Sequence, residues 1–167
     1  MIEQCKEYLI QKITEAGIKS KVFTCIKKLE ASNESHIGAV LFAGDSFERS
    51  GAKTIYVDQL GIKQKRVKTF DRKSSFVVVI GEYDQSKCES IFEKFIGLLD
   101  RGILIDDNFT AIEVEDADWV EENDSVLKAK VAVQVKIRFD GGLYKDSTLG
   151  KLKEFDLTIE VEGENDE

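Results

Sequence analysis

A dense group of carboxylates between residues 106 and 124 has the clearest potential for chemistry in this sequence. Hard divalent cations bind where several oxygen ligands converge, and Glu113 and Glu115 would share one face of a strand. Together with Asp106 and Asp107, they are the candidate ligands of a small metal-dependent nuclease or phosphoesterase. The EF-hand spacing D-x-[DN]-x-[DN]-G is absent, however.

The strand that follows these acids weakens the nuclease hypothesis. Nucleases of the acid-then-(D/E)-x-K type place a carboxylate two residues before a lysine, and Lys128 occupies that position before Lys130. A solvated or partner-facing charged strand is therefore the favoured interpretation, and a metal site is the alternative.

His36 is the only histidine, which excludes a two-histidine metal site. A Ser-His-Asp or Cys-His arrangement would have to use it, yet no Gly-x-Ser-x-Gly elbow or papain-like cysteine context accompanies it. We therefore predict a histidine in a polar loop or at the entry to a strand. No catalytic residue is expected.

Cofactor motifs are equally scarce. The phosphate-binding patterns GxGxxG and GxxxxGK[ST] are absent, so Gly141-Gly142 is interpreted as a turn. Cys5, Cys25 and Cys88 are far apart and form no CxxC pair, which favours small buried thiols in a reducing compartment. No cofactor and no bound metal are predicted.

Charge is segregated along the chain. The formal net charge of −8 disfavours general nucleic-acid binding, which needs a basic surface. The acidic segment contains no Lys or Arg, whereas residues 63–73 are basic. Opposite patches on one subunit can meet across a repeated head-to-tail interface, and such contacts close into rings. The basic side chains are Lys63, Lys65, Arg66, Lys68, Arg72 and Lys73.

Two amphipathic helices are predicted around these segments. Apolar residues recur every three or four positions from Ile2 to Ala16, and Gly17 follows as a stop. A second helix begins near Ser86, which has capping-box spacing with Glu89, and stops at Gly102. Strands are predicted at Val22–Leu29, Gly38–Ala43, Arg66–Glu82, Phe109–Trp119 and Val126–Phe139.

The last of these strands alternates strictly, which is typical of a half-buried antiparallel strand. If it pairs with the acidic strand before it, its cationic side chains lie opposite carboxylates and help to set the register. The polar segment 44–61 is interpreted as a loop or an extended hairpin arm. Gly141-Gly142 is predicted to end the last strand.

The length and the 42% hydrophobic content predict a single α+β domain over residues 1–142. Its mixed, mainly antiparallel sheet carries two main helices packed on one face. Residues 143–167 are expected to form a C-terminal extension, with an edge strand or a disordered acidic end. No apolar run approaches membrane-spanning length, and the start lacks the apolar core of a signal peptide, which predicts assembly in the cytoplasm without membrane contact.

The order of elements over roughly residues 1–139 resembles that of the tail terminator, or tail completion, proteins of long-tailed phages. Three local phrases carry the resemblance: FVVVIGEYD before an amphipathic helix, EVEDADWVEEND at the acidic turn, and a closing strand that runs through FDGGLY. Proteins of that family are small α+β proteins that cap the tail tube as a ring. The family has no sharp catalytic or binding motif, so no residue role is carried over.

The resemblance implies a non-enzymatic virion assembly protein that ends tail polymerisation and presents the head-joining surface. Its partners would be copies of itself in a hexameric ring, the tail tube protein and head–tail connector proteins, within the tail of the virion. The alternatives are a head–tail connector protein, the nuclease, and an adaptor or immunity-type protein with a nucleic-acid-like acidic face. The predicted subunit or tube interface comprises Lys65, Arg66, Lys68, Arg72, Lys73, Asp106, Asp107, Glu113, Glu115 and Asp118.

Overall fold

A computed structural model describes residues 1–32, 34–121 and 131–149 of the chain. Within these ranges, no helix is both long enough and apolar enough to cross a membrane. The elements in chain order are α1 (Ile2–Ala16), α2 (Ile26–Glu30), β1 (Ile37–Arg49), β2 (Lys53–Val57), β3 (Lys63–Glu82), α3 (Gln85–Leu98), β4 (Gly102–Ile105), β5 (Asn108–Glu121) and β6 (Val131–Thr148).

The six strands form one antiparallel sheet in the order β1-β3-β6-β5-β4. Strand β2 also pairs with β3. It lies on the same side of β3 as β1 does, but it pairs with the first residues of β3, before those that pair with β1. The main helices α1 and α3 pack together and against the sheet in one core cluster. The predicted α+β class, with a mainly antiparallel sheet and two main helices on one face, is confirmed.

Alternation along β6 produces the core as its sequence predicts. Val133, Val135, Ile137 and Phe139 are buried beneath the helices, whereas Lys136 is exposed. Fully burying a side chain of this size stabilises the fold by about 1.5–3 kcal/mol. The helices contribute Cys5, Leu9, Ile13, Ala16, Cys88, Ile91 and Phe95 to the same core cluster.

The boundaries of the helices differ partly from the predictions. Helix α1 ends at Gly17 as expected, with φ of 129°, a conformation that glycine adopts without strain. Helix α3 instead begins at Gln85, earlier than a Ser86 cap would allow, because Asp84 is the cap and its Oδ2 accepts the Lys87 N–H at 3.0 Å. The helix ends before Gly102, which is the first residue of β4.

The cysteine prediction is right for two of the three thiols. Burial raises the pKa of Cys5 and of Cys88 to about 11, so both thiols stay protonated in the core. Cys25 is exposed, which corrects the expectation that it is buried. It lies at the N-terminal end of α2, where the chain leaves the sheet.

The predicted strand Val22–Leu29 is largely wrong. Only Phe23 makes an isolated parallel bridge, to Ala39, and the chain then enters the short helix α2. Leu29 of that helix packs on Ile37, Ala39 and Val79, which form a second core cluster. A helical turn is favoured here because it buries Leu29 while leaving its lysine neighbours exposed.

Strand β6 does not end at Gly141-Gly142 but continues to Thr148, so that prediction is also wrong. The two glycines do not form a turn; they let neighbouring side chains approach the backbone of β6 closely. A Cβ on Gly141 would lie 3.0 Å from Met1 Cε, and one on Gly142 would collide with the Lys68 side chain. The predicted strand residues 126–130, and residues 150–167 of the predicted C-terminal extension, lie outside the described residues.

Segment 44–61 is a hairpin arm only in its second half, because residues 44–49 continue β1 against the middle of β3. Strand β2 pairs with the start of β3, and the end of β6 pairs with the other side of β3. We call residues 53–68 and 143–148 the arm. At its turn, Asp58 Oδ1 accepts the N–H groups of Leu60 and Ile62, both at 2.9 Å. A hydrogen bond from the Gln64 side chain, with these two, lowers the pKa of Asp58.

Candidate functional site

Strands β5 and β6 neutralise each other's charges on the sheet face away from the main helices. Glu113 lies opposite Arg138, and Asp116 lies opposite Lys136, with a register shift at Glu115 between them. Lys136 Nζ is 3.6 Å from Asp116 Oδ2. The predicted placement of opposite charges across this pair of strands is confirmed, although Lys128 and Lys130 lie outside the described residues.

Arg138 is the centre of this charge network. Its Nη1 pairs with Glu115 Oε1, and its Nε donates to Asp140 Oδ1 at 2.7 Å. These hydrogen bonds, that to Asp140 foremost, raise the pKa of Arg138 further above its ordinary range. Lys136 Nζ also lies 3.7 Å from Asp118 Oδ2. Two of the predicted interface acids, Glu115 and Asp118, are thus compensated within the chain.

Three cations of the basic segment, Arg66, Lys68 and Arg72, likewise pair with carboxylates of the same chain. Arg72 pairs with Asp45, whose Oδ1 also accepts the Ser74 hydroxyl at 2.6 Å. Lys68 pairs with Asp71. These pairs come from different faces of β3, because Arg72 points towards the helix side and Lys68 lies beside Gly142 on the other side. The segment is therefore not one continuous basic surface.

Arg66 holds the arm against the turn between β4 and β5. Its Nε and Nη2 donate to Asp146 at 2.8 and 2.7 Å, in a bidentate pair. Its Nη1 donates to Asn108 Oδ1 at 3.1 Å. The guanidinium also lies 5.1 Å from the ring centre of Tyr56 and 5.9 Å from that of Tyr144. We call this side of the arm the tyrosine face.

An open groove of about 680 Å³ runs along the tyrosine face. Both of its cations are already paired, Arg66 with Asp146 and Lys68 with Asp71. Hydrogen bonds from Arg66 lower the pKa of Asp146. The lining residues are Ala52, Thr54, Tyr56, Arg66, Lys68, Asp107, Asn108, Phe109 and Tyr144. The groove joins the arm to the β4–β5 turn and has no convergent set of reactive side chains.

The opposite side of the arm has a different character. Cross-strand partners share a face, and the register places Lys53, Ile55, Val57, Lys63, Lys65 and Lys145 on this one. We call these six residues the lysine face. None of its four lysines forms an ion pair with any residue in the three described ranges. Ile55 is 64% exposed and Leu60, at the tip, is 83% exposed.

The turn between β4 and β5 forms a second exposed surface, the acidic hairpin, comprising residues 104–109. Ile105 pairs with Asn108, and the two residues between them have φ of 48° for Asp106 and 60° for Asp107. Positive φ at both central positions is the geometry of a type I′ turn. Leu104 and Phe109, paired next to the turn, are 72% and 60% exposed.

His36 belongs to an internal network rather than to a reactive site. It directly precedes β1, as predicted for a strand-entry histidine, and its Nε2 accepts the Lys19 N–H at 3.0 Å. Its Nδ1 contacts the buried carboxylate of Glu82, which also lies 3.0 Å from Lys87 Nζ. Because both ring nitrogens are engaged, the Nδ1–H tautomer is assigned and neither nitrogen is free to act as a base.

The structure separates the four candidate metal ligands. Asp106 and Asp107 lie at the hairpin turn, whereas Glu113 faces Arg138 and Glu115 pairs with it. In the part of the chain that is described, no three His, Cys, Asp or Glu residues come together in a group that could hold a metal ion.

The predicted interface residues fall into two groups. Arg66, Lys68, Arg72, Glu115 and Asp118 have partners within the chain. Lys65, Lys73, Asp106, Asp107 and Glu113 make no ion pair with another described residue.

Two lysines of the arm were missed from the sequence. Lys53 and Lys145 flank Val67 in the register, and neither lies in a strand that the sequence predicts. The short apolar run of Ile55, Tyr56 and Val57 was the available signal for β2. No protein-family model and no curated protein sequence matches this chain.

Proposed function

We propose that this protein is a non-enzymatic virion assembly protein that caps the end of a phage tail tube as a ring. The supporting observation is the concentration of exposed apolar and uncompensated charged side chains on two separate ribbons, the arm and the acidic hairpin. Identical subunits that use two different surfaces associate head to tail, and a suitable rotation closes them into a ring.

The chemistry of the remaining side chains favours assembly over catalysis. The single histidine has both ring nitrogens engaged, and the central arginines of the sheet and arm are bound to carboxylates. Such groups stabilise a rigid frame that presents the arm. A capping ring needs surfaces of this kind rather than groups with perturbed acidity.

The proposed ring ends polymerisation of the tail tube and presents its outer surface to the head–tail connector proteins. Its partners are other copies of this chain, six per ring by resemblance, together with the tail tube protein and the connector. The protein assembles in the host cytoplasm and remains in the tail of the virion. No direct recognition of nucleic acid is part of this function.

Electron microscopy of growing tail tubes tests the proposal. We expect the added protein to form a ring-shaped density at one end of each tube and to stop elongation there. The tube subunits should come from the same phage, and a tube sample without this protein provides the length control. Elongation that continues unchanged, with no density at the tube end, would contradict tail capping. Binding to the head connector alone would favour the connector alternative.

A further inference from the structure

We propose that the lysine face of one subunit docks on the acidic hairpin of a second copy of this chain. This inference rests on the proposed function, since it specifies the contact that would join neighbouring subunits of the ring.

The lysine face has a net charge of four with no acid of its own. Lys53 and Lys145 lie on either side of Val67, and Lys63 and Lys65 lie opposite Val57 and Ile55. Alternating cationic and apolar side chains on one ribbon face fit a partner that is both acidic and apolar.

The acidic hairpin has this composition. Asp106 and Asp107 project at its turn, and the exposed pair Leu104 and Phe109 lies directly beside them. The two aspartates form no ion pair within residues 1–32, 34–121 and 131–149. The hairpin therefore offers both an apolar patch and two available carboxylates to a partner surface.

Within one subunit, no ion pair joins Asp106 or Asp107 to a lysine of the lysine face among the described residues. The hairpin is held on the tyrosine face of its own arm, where Arg66 donates to Asn108 and Asp107 lines the shared groove. The lysine face lies on the opposite side of the same ribbon. Because the contacts of the hairpin within its own subunit are with the tyrosine face, we assign the contact with the lysine face to the hairpin of another copy.

Such a contact is heterologous, because each subunit donates an arm and receives one. It can repeat around an axis until the ring closes. The apolar side chains of both surfaces lose contact with water on docking, and the charges favour the correct pairing over arm-to-arm or hairpin-to-hairpin contacts, in which like charges would meet.

Three variants test this contact in the full chain. The arm variant carries Lys63→Glu and Lys145→Glu. The hairpin variant carries Asp106→Asn and Asp107→Gly, which removes both charges while providing the sequence that type I′ turns prefer. The control carries Lys27→Glu and Lys28→Glu, the same charge change on exposed positions of α2. Circular dichroism confirms that each variant is folded.

Native mass spectrometry and sedimentation measure the assemblies, in free solution and with tail tubes. We expect rings from the natural chain and the control, and a dissociation constant raised on the order of tenfold or more for each interface variant alone. A mixture of the arm and hairpin variants should form one-to-one pairs and nothing larger, because one intact arm meets one intact hairpin.

The outcomes separate this inference from the proposed function. Folded variants that still form rings, or a mixture that forms no pairs, would overturn the docking contact while leaving tail capping intact. A natural chain that forms no ring in solution or on tube ends would overturn both.

Discussion

Two charged regions of this molecule, the body of the sheet and the lysine face of the arm, differ in what their charges contact. On the body of the sheet, cations lie beside carboxylates of the neighbouring strand, as Arg138 does beside Glu115 and Asp140. On the lysine face of the arm, cations adjoin other cations and apolar side chains. Charge within the sheet body therefore supports the fold, and charge on the lysine face of the arm remains available for a partner.

The largest expected effect is at Glu82, the charged side chain that is most deeply buried among the described residues. Glu82→Gln removes the carboxylate between His36 and Lys87, and we expect the free energy of unfolding to fall by about 3 kcal/mol. Chemical denaturation measures this change. The matched variant Lys87→Met removes only the more exposed partner and should cost about 1 kcal/mol. If both variants lost the same free energy of unfolding, burial of the Glu82 carboxylate would not explain the effect.

A smaller effect is expected where the compensated pair is partly buried. Arg72→Met leaves Asp45 with only the Ser74 hydroxyl, and we expect a loss of about 2 kcal/mol of stability. On the arm, Lys63→Met should change stability by less than about 0.5 kcal/mol. Thermal or urea unfolding compares the two. A Lys63 variant as unstable as the Arg72 variant would show that the lysine face supports the fold.

The arm should loosen at low pH. Hydrogen bonds from Arg66 hold the pKa of Asp146 below its ordinary value of 3.8. Because the pKa of Asp146 is lower in the folded state, the pair contributes its full stability at pH values above 3.8. That contribution is lost as the pH falls through the lower pKa of the folded state. Hydrogen exchange of β2 amides should therefore accelerate in acid. Asp146→Asn should weaken this pH dependence and leave the part that Asp58 contributes at the turn, and an unchanged acid response would contradict the prediction.

The smallest expected effect is the heat of metal binding, which distinguishes the assembly proposal from the nuclease alternative. Calorimetry with Mg²⁺, Mn²⁺ and Ca²⁺ should detect no stoichiometric binding, because the described carboxylates do not converge. Stoichiometric binding that Glu113→Gln abolishes would instead favour the nuclease alternative.

Regular elements were predictable because each rests on a local pattern. The alternation of β6 and the apolar stripes of α1 and α3 define their buried faces, and the structure buries those faces. Strand continuation through Gly141-Gly142 depended on distant contacts, with Met1 and Lys68, that no local pattern contains. The replacement of the predicted strand Val22–Leu29 by the helix α2 likewise depended on where Leu29 could pack.

The candidate surfaces were predicted less completely, because register decides which charges meet. The acidic and basic segments could be found from the sequence, but the partners Asp45 and Asp146 come from segments that were interpreted as a loop and an extension. Those partners bind Arg72 and Arg66 within the chain. The lysine face became visible only when β2, β3 and the end of β6 were placed side by side.

Native mass spectrometry of the natural chain at graded ionic strength, alone and with tail tubes, tests ring assembly most directly. Ring capping predicts a closed ring of one copy number, six by resemblance, that dissociates as salt screens the contact between arm and hairpin. A chain that remains monomeric at every ionic strength, in solution and on tube ends, would contradict it.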